Sequence, residues 1–141
     1  MDNEKKKTNR PNNVARIPCS LSDSFFRYWF MFWEPFHKLT KREIDVAATL
    51  VKIRYELSKV VKDEVILDKL VMSEDTKKRV REECNIQTQH FQVIMSNLRK
   101  HKVIINGKIN PLFIPRIKEG EDTLQLLFLF DFSQDKWHLN R

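Results

Sequence analysis

The chain has 141 residues, of which 41% are hydrophobic and 11% aromatic, a composition that suits one domain with a single core and excludes a wholly disordered protein. Only two glycines are present, Gly107 and Gly120, too few for the glycine-rich phosphate cradles of P-loop and dinucleotide-binding proteins. The net charge of +7 and the pI near 9.5 favour an acidic partner, nucleic acid first, although a basic surface alone explains them equally well.

Residues 1–18 are polar, interrupted by two prolines, and carry five Lys or Arg against two acidic residues. Because such a segment cannot bury enough apolar surface to order itself, we predict a flexible basic arm that becomes ordered only on a partner. The segment has no apolar run typical of a secretory signal, and no stretch of the chain approaches the ~18 apolar residues of a membrane span. We therefore expect an intracellular protein with no membrane partner.

Residues 25–36 contain eight aromatic side chains in twelve positions. Ser20 and Ser22 are candidate N-caps for a helix here, and Pro35 marks its predicted end. A helix that is apolar on nearly every face is either a central core helix or one that lends a face to a protein partner or a second copy. The candidate partner-contacting residues are Phe25, Phe26, Tyr28, Trp29, Phe32 and Trp33.

The next helix begins with a capping box, in which the Thr40 side chain accepts from the backbone of Glu43 and Glu43 reaches back. Apolar residues then recur at helical spacing and predict a helix to about Val60, followed by a short helix over residues 64–72. Ser73 caps a further helix, whose period is interrupted at Asn85. Another helix is predicted over residues 88–101. Two short helices joined by a tight turn form a helix-turn-helix pattern, in which Cys84 is a small buried side chain.

The last part of the chain is predicted to form strands. Residues 103–105 and 108–109 bracket Asn106-Gly107, the strongest two-residue hairpin signal. Pro111 and Pro115 restrict residues 112–117 to an edge or interrupted strand, and residues 123–132 form a strong predicted strand. The predicted fold is therefore mostly α with a C-terminal β-hairpin wing (α+β), a winged helix-turn-helix within a single domain over residues 19–132. Residues 133–141 are a polar tail anchored by Trp137.

Residues 75–132 resemble the winged helix-turn-helix domains of plasmid and phage replication and regulatory proteins. The resemblance rests on Cys84-Asn-Ile-Gln-Thr88, on Leu98-Arg-Lys-His-Lys-Val-Ile104 and on Gly107-Lys-Ile-Asn-Pro111. It implies a phage- or plasmid-type protein that binds duplex DNA in replication or transcription control, located in the host cytoplasm or in a virion if a phage encodes it. The shortened last motif and the absence of a glycine in the helix-turn-helix turn depart from the family pattern.

On the predicted recognition helix, polar side chains suit base edges and phosphates, and cations on the preceding helix suit phosphates. The candidate DNA-binding residues are Lys77, Lys78, Arg81, Gln87, Thr88, Gln89, Gln92, Ser96, Arg99, Lys100 and Lys108, and Arg79 is a further candidate for phosphate contact.

No catalytic constellation, metal-ligand spacing, cofactor motif or small-molecule site is evident, so we expect no enzyme, no metal and no cofactor. His37, His90, His101 and His138 are assigned surface or capping roles. The competing hypothesis is a virion structural or accessory protein that uses the winged-helix domain, the aromatic segment and the basic arm for protein packing. Complete coverage of residues 25–36 by the chain's own helices would argue against this alternative.

Overall fold

The computed structural model describes residues 13–135 and is mostly helical. Its helices are α1 (Phe25–Phe32), α2 (Glu34–His37), α3 (Lys41–Ser58), α4 (Glu64–Val71), α5 (Glu74–Cys84) and α6 (Thr88–Lys100). An antiparallel two-stranded sheet follows, formed by β1 (Ile104–Ile105) and β2 (Lys108–Ile109), and then a 3₁₀ turn at Pro111–Phe113. The coarse prediction of a mostly helical α+β chain is confirmed.

Helix α3 is the centre of the fold, since α1, α4, α5 and α6 all pack against it. Both halves of the predicted capping box are present: Glu43 N donates to Thr40 Oγ1 at 3.3 Å, and Thr40 N donates to Glu43 Oε1 at 3.0 Å. Val46, Leu50 and Ile53, three or four positions apart, are buried, as expected for a helix that packs on several neighbours. The helix ends at Ser58, two residues before the predicted end.

The aromatic segment forms two helices, so its predicted boundaries are wrong. Helix α1 has Ser24 as its N-cap, not Ser20 or Ser22, and the Ser24 side chain accepts a hydrogen bond from Ser20 N instead of capping the helix. Pro35 lies in the first turn of α2 and does not end a helix. Proline is tolerated there because first-turn amides have no partner within the helix.

The predicted interruption between α5 and α6 is confirmed. Asn85 adopts the left-handed conformation at φ 52° and ends α5, and Ile86 in the turn is buried. Asparagine is among the non-glycine residues that tolerate this conformation. Cys84 is only half-buried, with its Sγ 3.4 Å from Thr49 Oγ1, and Cys19 is exposed; both are free thiols.

The hairpin is correctly predicted, but the strands predicted after it are absent from the described residues. Ile104 pairs with Ile109, and Asn106 and Gly107 both have positive φ, the geometry of a type I′ turn. Residues 112–117 contain no strand, because Asn110 caps the 3₁₀ turn by accepting from Leu112 N at 3.0 Å. Residues 123–132 also form no strand, and the predicted wing over residues 103–132 reduces to a hairpin at 104–109.

The described part of the predicted N-terminal arm, residues 13–18, is exposed and has no regular secondary structure. The remainder of the predicted arm, and the anchor predicted at Trp137, lie outside the described residues. Within the described part of the chain, none of the helices has the length and apolar character that crossing a membrane requires.

Candidate nucleic-acid interface

Helix α6 presents one apolar face to the core and one polar face to solvent. Phe91, Ile94, Met95 and Leu98 are buried on the first face. All seven sequence-predicted residues at the start of and along this helix are exposed: Gln87, Thr88, Gln89, Gln92, Ser96, Arg99 and Lys100. Val93, which the sequence analysis did not single out, lies among them with 56% of its surface exposed. An aliphatic side chain in this position suits contact with a thymine methyl group.

A shallow groove of about 250 Å³ runs between α5 and α6. It brings together five of the predicted DNA-binding residues, namely Lys77, Arg81, Thr88, Gln92 and Arg99, and its other lining residues are Glu74, Phe91 and Met95. The cations come from both helices, which follow each other across a three-residue turn and both line the groove. The groove therefore combines three positive charges with one carboxylate.

The three cationic side chains of this groove differ in the contacts they make with the rest of the chain. Lys77 Nζ lies 3.5 Å from Glu74 Oε2, and the Arg81 guanidinium lies over the Phe91 ring, 5.5 Å from its centroid. Arg99 makes no ion pair with any described residue. Stacking on Phe91 positions the Arg81 charge without neutralising it, so the groove keeps a net positive field for an anion.

Other predicted cations lie outside the groove. Lys78 is exposed on α5, and Lys108 is exposed on β2 directly after the hairpin turn. Arg79 is partly neutralised within the chain, because its guanidinium pairs with Glu56 at 2.8 Å and with Glu83 at 3.7 Å. The hydrogen bond that Arg79 donates to the Glu56 carboxylate raises the pKa of Arg79 above its usual value.

Glu43 fixes α6 to the start of α3, a role that the sequence did not reveal. Its Oε2 accepts a hydrogen bond from Asn97 Nδ2 at 2.7 Å, while Oε1 serves the capping box. Burial raises the pKa of Glu43, but hydrogen bonds from the Thr40 amide, the Asn97 side chain and the Thr40 hydroxyl outweigh it and leave the pKa below its usual value. The carboxylate is thus charged at neutral pH and holds the candidate recognition helix in place.

The predicted partner-contacting residues divide into buried and exposed members. Phe26 and Trp29 are only 1% and 7% exposed, so the prediction that they contact a partner is wrong. They face the core because α1 packs on α3, and Trp29 Nε1 donates to the Phe113 carbonyl at 2.8 Å. Phe25 and Trp33 are half-buried, and Tyr28 and Phe32 are exposed.

Coverage of residues 25–36 by the chain is therefore incomplete. Met31 and Phe36, which the sequence analysis did not name, are 52% and 58% exposed beside Phe32 at 47%. The aromatic segment supplies the core with one face and leaves the other in solvent, so the core and partner interpretations each account for part of it.

His37 is buried, so it has a capping role and not a surface one. Its Nδ1 accepts from Leu39 N at 2.9 Å, which places the ring proton on Nε2, 2.6 Å from the Phe30 carbonyl. Burial lowers the pKa of His37 and keeps the ring neutral. Residues 13–135 contain no group of three or more His, Cys, Asp or Glu side chains that could hold a metal ion.

Comparison of the chain with protein-family models, with curated proteins and with solved structures finds no match.

Proposed function

We propose that the chain is a non-enzymatic winged-helix protein that binds duplex DNA, in replication or transcription control of the phage or plasmid type. The succession of α5, a tight turn, α6 and the β1–β2 hairpin supports this proposal, in which α6 is the recognition helix and α4 is an additional helix between α3 and α5. The observation that carries the proposal is the groove between α5 and α6, where Lys77, Arg81 and Arg99 converge beside the exposed polar face of α6.

In this proposal, α6 lies in the major groove. Gln89, Gln92 and Ser96 reach base edges, since Gln side chains pair with adenine and a hydroxyl pairs with either a donor or an acceptor. Lys77 and Arg81 on α5, with Arg99 and Lys100 at the end of α6, contact phosphates on either side. The middle of α6 has no cation, so phosphate contacts supply most of the affinity, and specificity depends on short polar side chains.

Lys108 extends the same proposal to the hairpin. The type I′ turn at Asn106-Gly107 projects the adjacent Lys108 into solvent. A short hairpin with one cation adds a single phosphate contact beside the recognition helix, as a wing does. Its contribution is expected to be independent of DNA sequence.

The test is the salt dependence of binding to random-sequence duplex DNA, measured by fluorescence anisotropy. A protein that contacts Z phosphates loses affinity with a slope near −0.9Z on a double-logarithmic plot, so Arg81→Ala and Arg99→Ala should each reduce the slope by about one. The control is Lys69→Ala, which removes an exposed cation from α4, outside the groove. Absence of wild-type binding at low salt, or equal slopes for the groove and control variants, would refute the proposal.

A second candidate function is a virion structural or accessory component that packs against other proteins. The exposed aromatic surface of Phe32 and Phe36 favours it, because large exposed aromatic side chains anchor protein interfaces. Phe32→Ser should abolish assembly with a protein partner and leave DNA affinity unchanged if this candidate is correct. Arg81→Ala and Arg99→Ala should instead weaken DNA binding and leave that assembly unchanged, which separates the two functions.

A further inference from the structure

Residues 123–132, called here the C-terminal segment, have the composition of a β-strand. They pair with no strand in the part of the chain that the structure describes. The segment contains no glycine or proline, and Asp131 is its sole charged residue. Exposure alternates over its first part, where Leu124, Leu126 and Phe128 are half-buried and the residues between them are exposed, and residues 129–132 are all exposed. A two-residue period is the pattern of an extended chain with one face on the protein.

The inner face of the C-terminal segment is anchored on the aromatic helices. Phe128 stacks on Phe36 with 5.8 Å between ring centroids and meets Trp33 edge-on at 5.4 Å. Leu124 and Leu126 pack against the hydrophobic core. These contacts hold the backbone on the surface of the domain, so its free edge is presented in a fixed place.

The backbone of the segment is unpaired within the described part of the chain. No backbone-to-backbone hydrogen bond involves residues 123–131 there, and the nearest ones join Asp135 N to the Phe132 carbonyl and Glu121 N to the Lys118 carbonyl. A row of unpaired amides and carbonyls on an apolar, uncharged chain is a template for strand addition.

The C-terminal segment also exposes a large apolar surface. Leu127, Leu129, Phe130 and Phe132 are 69%, 80%, 86% and 68% exposed. With about 150–250 Å² for a large apolar side chain, roughly 500 Å² of apolar surface is open on each chain, at the upper end for a typical monomer. Two copies together offer about 1,000 Å², the minimum expected of a specific interface.

We propose that two copies of this chain associate by antiparallel pairing of their C-terminal segments. A second copy fits the segment because pairing it with itself about a two-fold axis runs the two copies antiparallel, the more favourable of the two strand orientations. The charged side chains lie at the ends of the segment, with Glu119, Glu121 and Asp122 before it and Asp131 and Asp135 at its far end.

The pairing would join two domains that otherwise repel each other. Each chain carries a net charge of +7, so an interface elsewhere on the surface has to overcome this repulsion. Residues 123–130 contain no charged side chain, and contact there brings no like charges together. The proposal does not depend on DNA binding.

The experiment is sedimentation equilibrium of the full chain, with wild type compared to Leu127→Pro and Leu129→Asp. Proline removes one backbone donor, and aspartate places a charge in the interface, while neither position is buried in the single chain. We expect a wild-type dimer at about 100 μM and at least a tenfold weaker dimer for both variants. Val65→Asp, at a 65% exposed site on α4, is the matched control and should remain dimeric.

Hydrogen exchange of wild type makes the test independent of the variants. Amides of residues 124–130 should be protected at dimeric concentrations and exchange freely on dilution, because their partner is the second chain. A wild-type monomer at the highest concentration, dimers unaffected by both variants, or fast exchange of these amides in the dimer would each overturn the proposal.

Discussion

Replacing Glu43 by alanine tests whether one carboxylate organises both α3 and α6. The change removes the acceptor for the Thr40 amide and for Asn97 Nδ2, two hydrogen bonds that the structure places at 3.0 and 2.7 Å. A hydrogen bond to a charged group contributes about 1.5–3 kcal/mol, and some of the freed donors can turn to water, so we expect a loss of about 2–4 kcal/mol in the free energy of unfolding.

The assay is urea denaturation followed by tryptophan fluorescence, with Glu82→Ala as the control. Glu82 is an exposed carboxylate on α5, and its removal should change stability by no more than about 0.5 kcal/mol. Glu43→Gln, which keeps one acceptor oxygen, should fall between the two. A loss below about 0.5 kcal/mol for Glu43→Ala would refute the reasoning, because both hydrogen bonds would then contribute nothing.

A double-mutant cycle separates the contact between helices from the capping box. If Glu43 and Asn97 interact as described, the double alanine variant loses less stability than the two single losses combined, with a coupling of about 0.5–3 kcal/mol. The pKa of Glu43 lies below its usual 4.5, so its contribution is complete above pH 4.5 and is lost as the pH falls through the folded-state pKa. Glu43→Gln should remove this part of the acid sensitivity.

Three further predictions concern the core. Leu98→Ala should destabilise the protein by about 2–5 kcal/mol while Gln92→Ala changes stability little, since only Leu98 is buried; equal midpoints in urea would contradict the assigned face of α6. Burial lowers the pKa of His37 below 6.5, so the free energy of unfolding should decline as the pH falls from 6.5 towards 5. His37→Gln should reduce this dependence on pH. An equal reduction by His90→Gln, at an exposed position, would contradict the role given to His37. Trp29→Phe should cost about 1–3 kcal/mol in thermal unfolding because it leaves a buried carbonyl without its donor, and an unchanged midpoint would count against that hydrogen bond.

The features predicted correctly from the sequence are those with local causes. The capping box at Thr40 and Glu43, the break at Asn85 and the hairpin at Asn106-Gly107 each depend on residues within four positions of one another. Their side-chain and backbone preferences act before any tertiary contact forms, which is why a single sequence reveals them.

The errors concern features that distant contacts decide. Residues 123–132 have the composition of a strand, but a strand also needs a partner, and composition does not say whether the chain supplies one. The inward position of Trp29 depends on its hydrogen bond to Phe113, 84 residues away. Five residues of the groove between α5 and α6 were predicted individually, but the groove itself, its inclusion of Glu74 and the pairing of Arg79 with Glu56 required the packed structure.

The hydrogen bond between Trp29 and Phe113 also bears on the order in which the chain folds during synthesis. Phe113 is 2% exposed and stacks on Phe30, so α1 lacks part of its packing surface until residue 113 has been made. At translation rates of about 5–20 residues per second, the aromatic helix remains incompletely covered for roughly 4–17 s. During that interval α1, the aromatic helix Phe25–Phe32, lacks part of its final cover. A chaperone that binds aromatic segments would therefore meet this protein at α1, and a ribosome stalled before residue 113 would leave that helix open to aggregation.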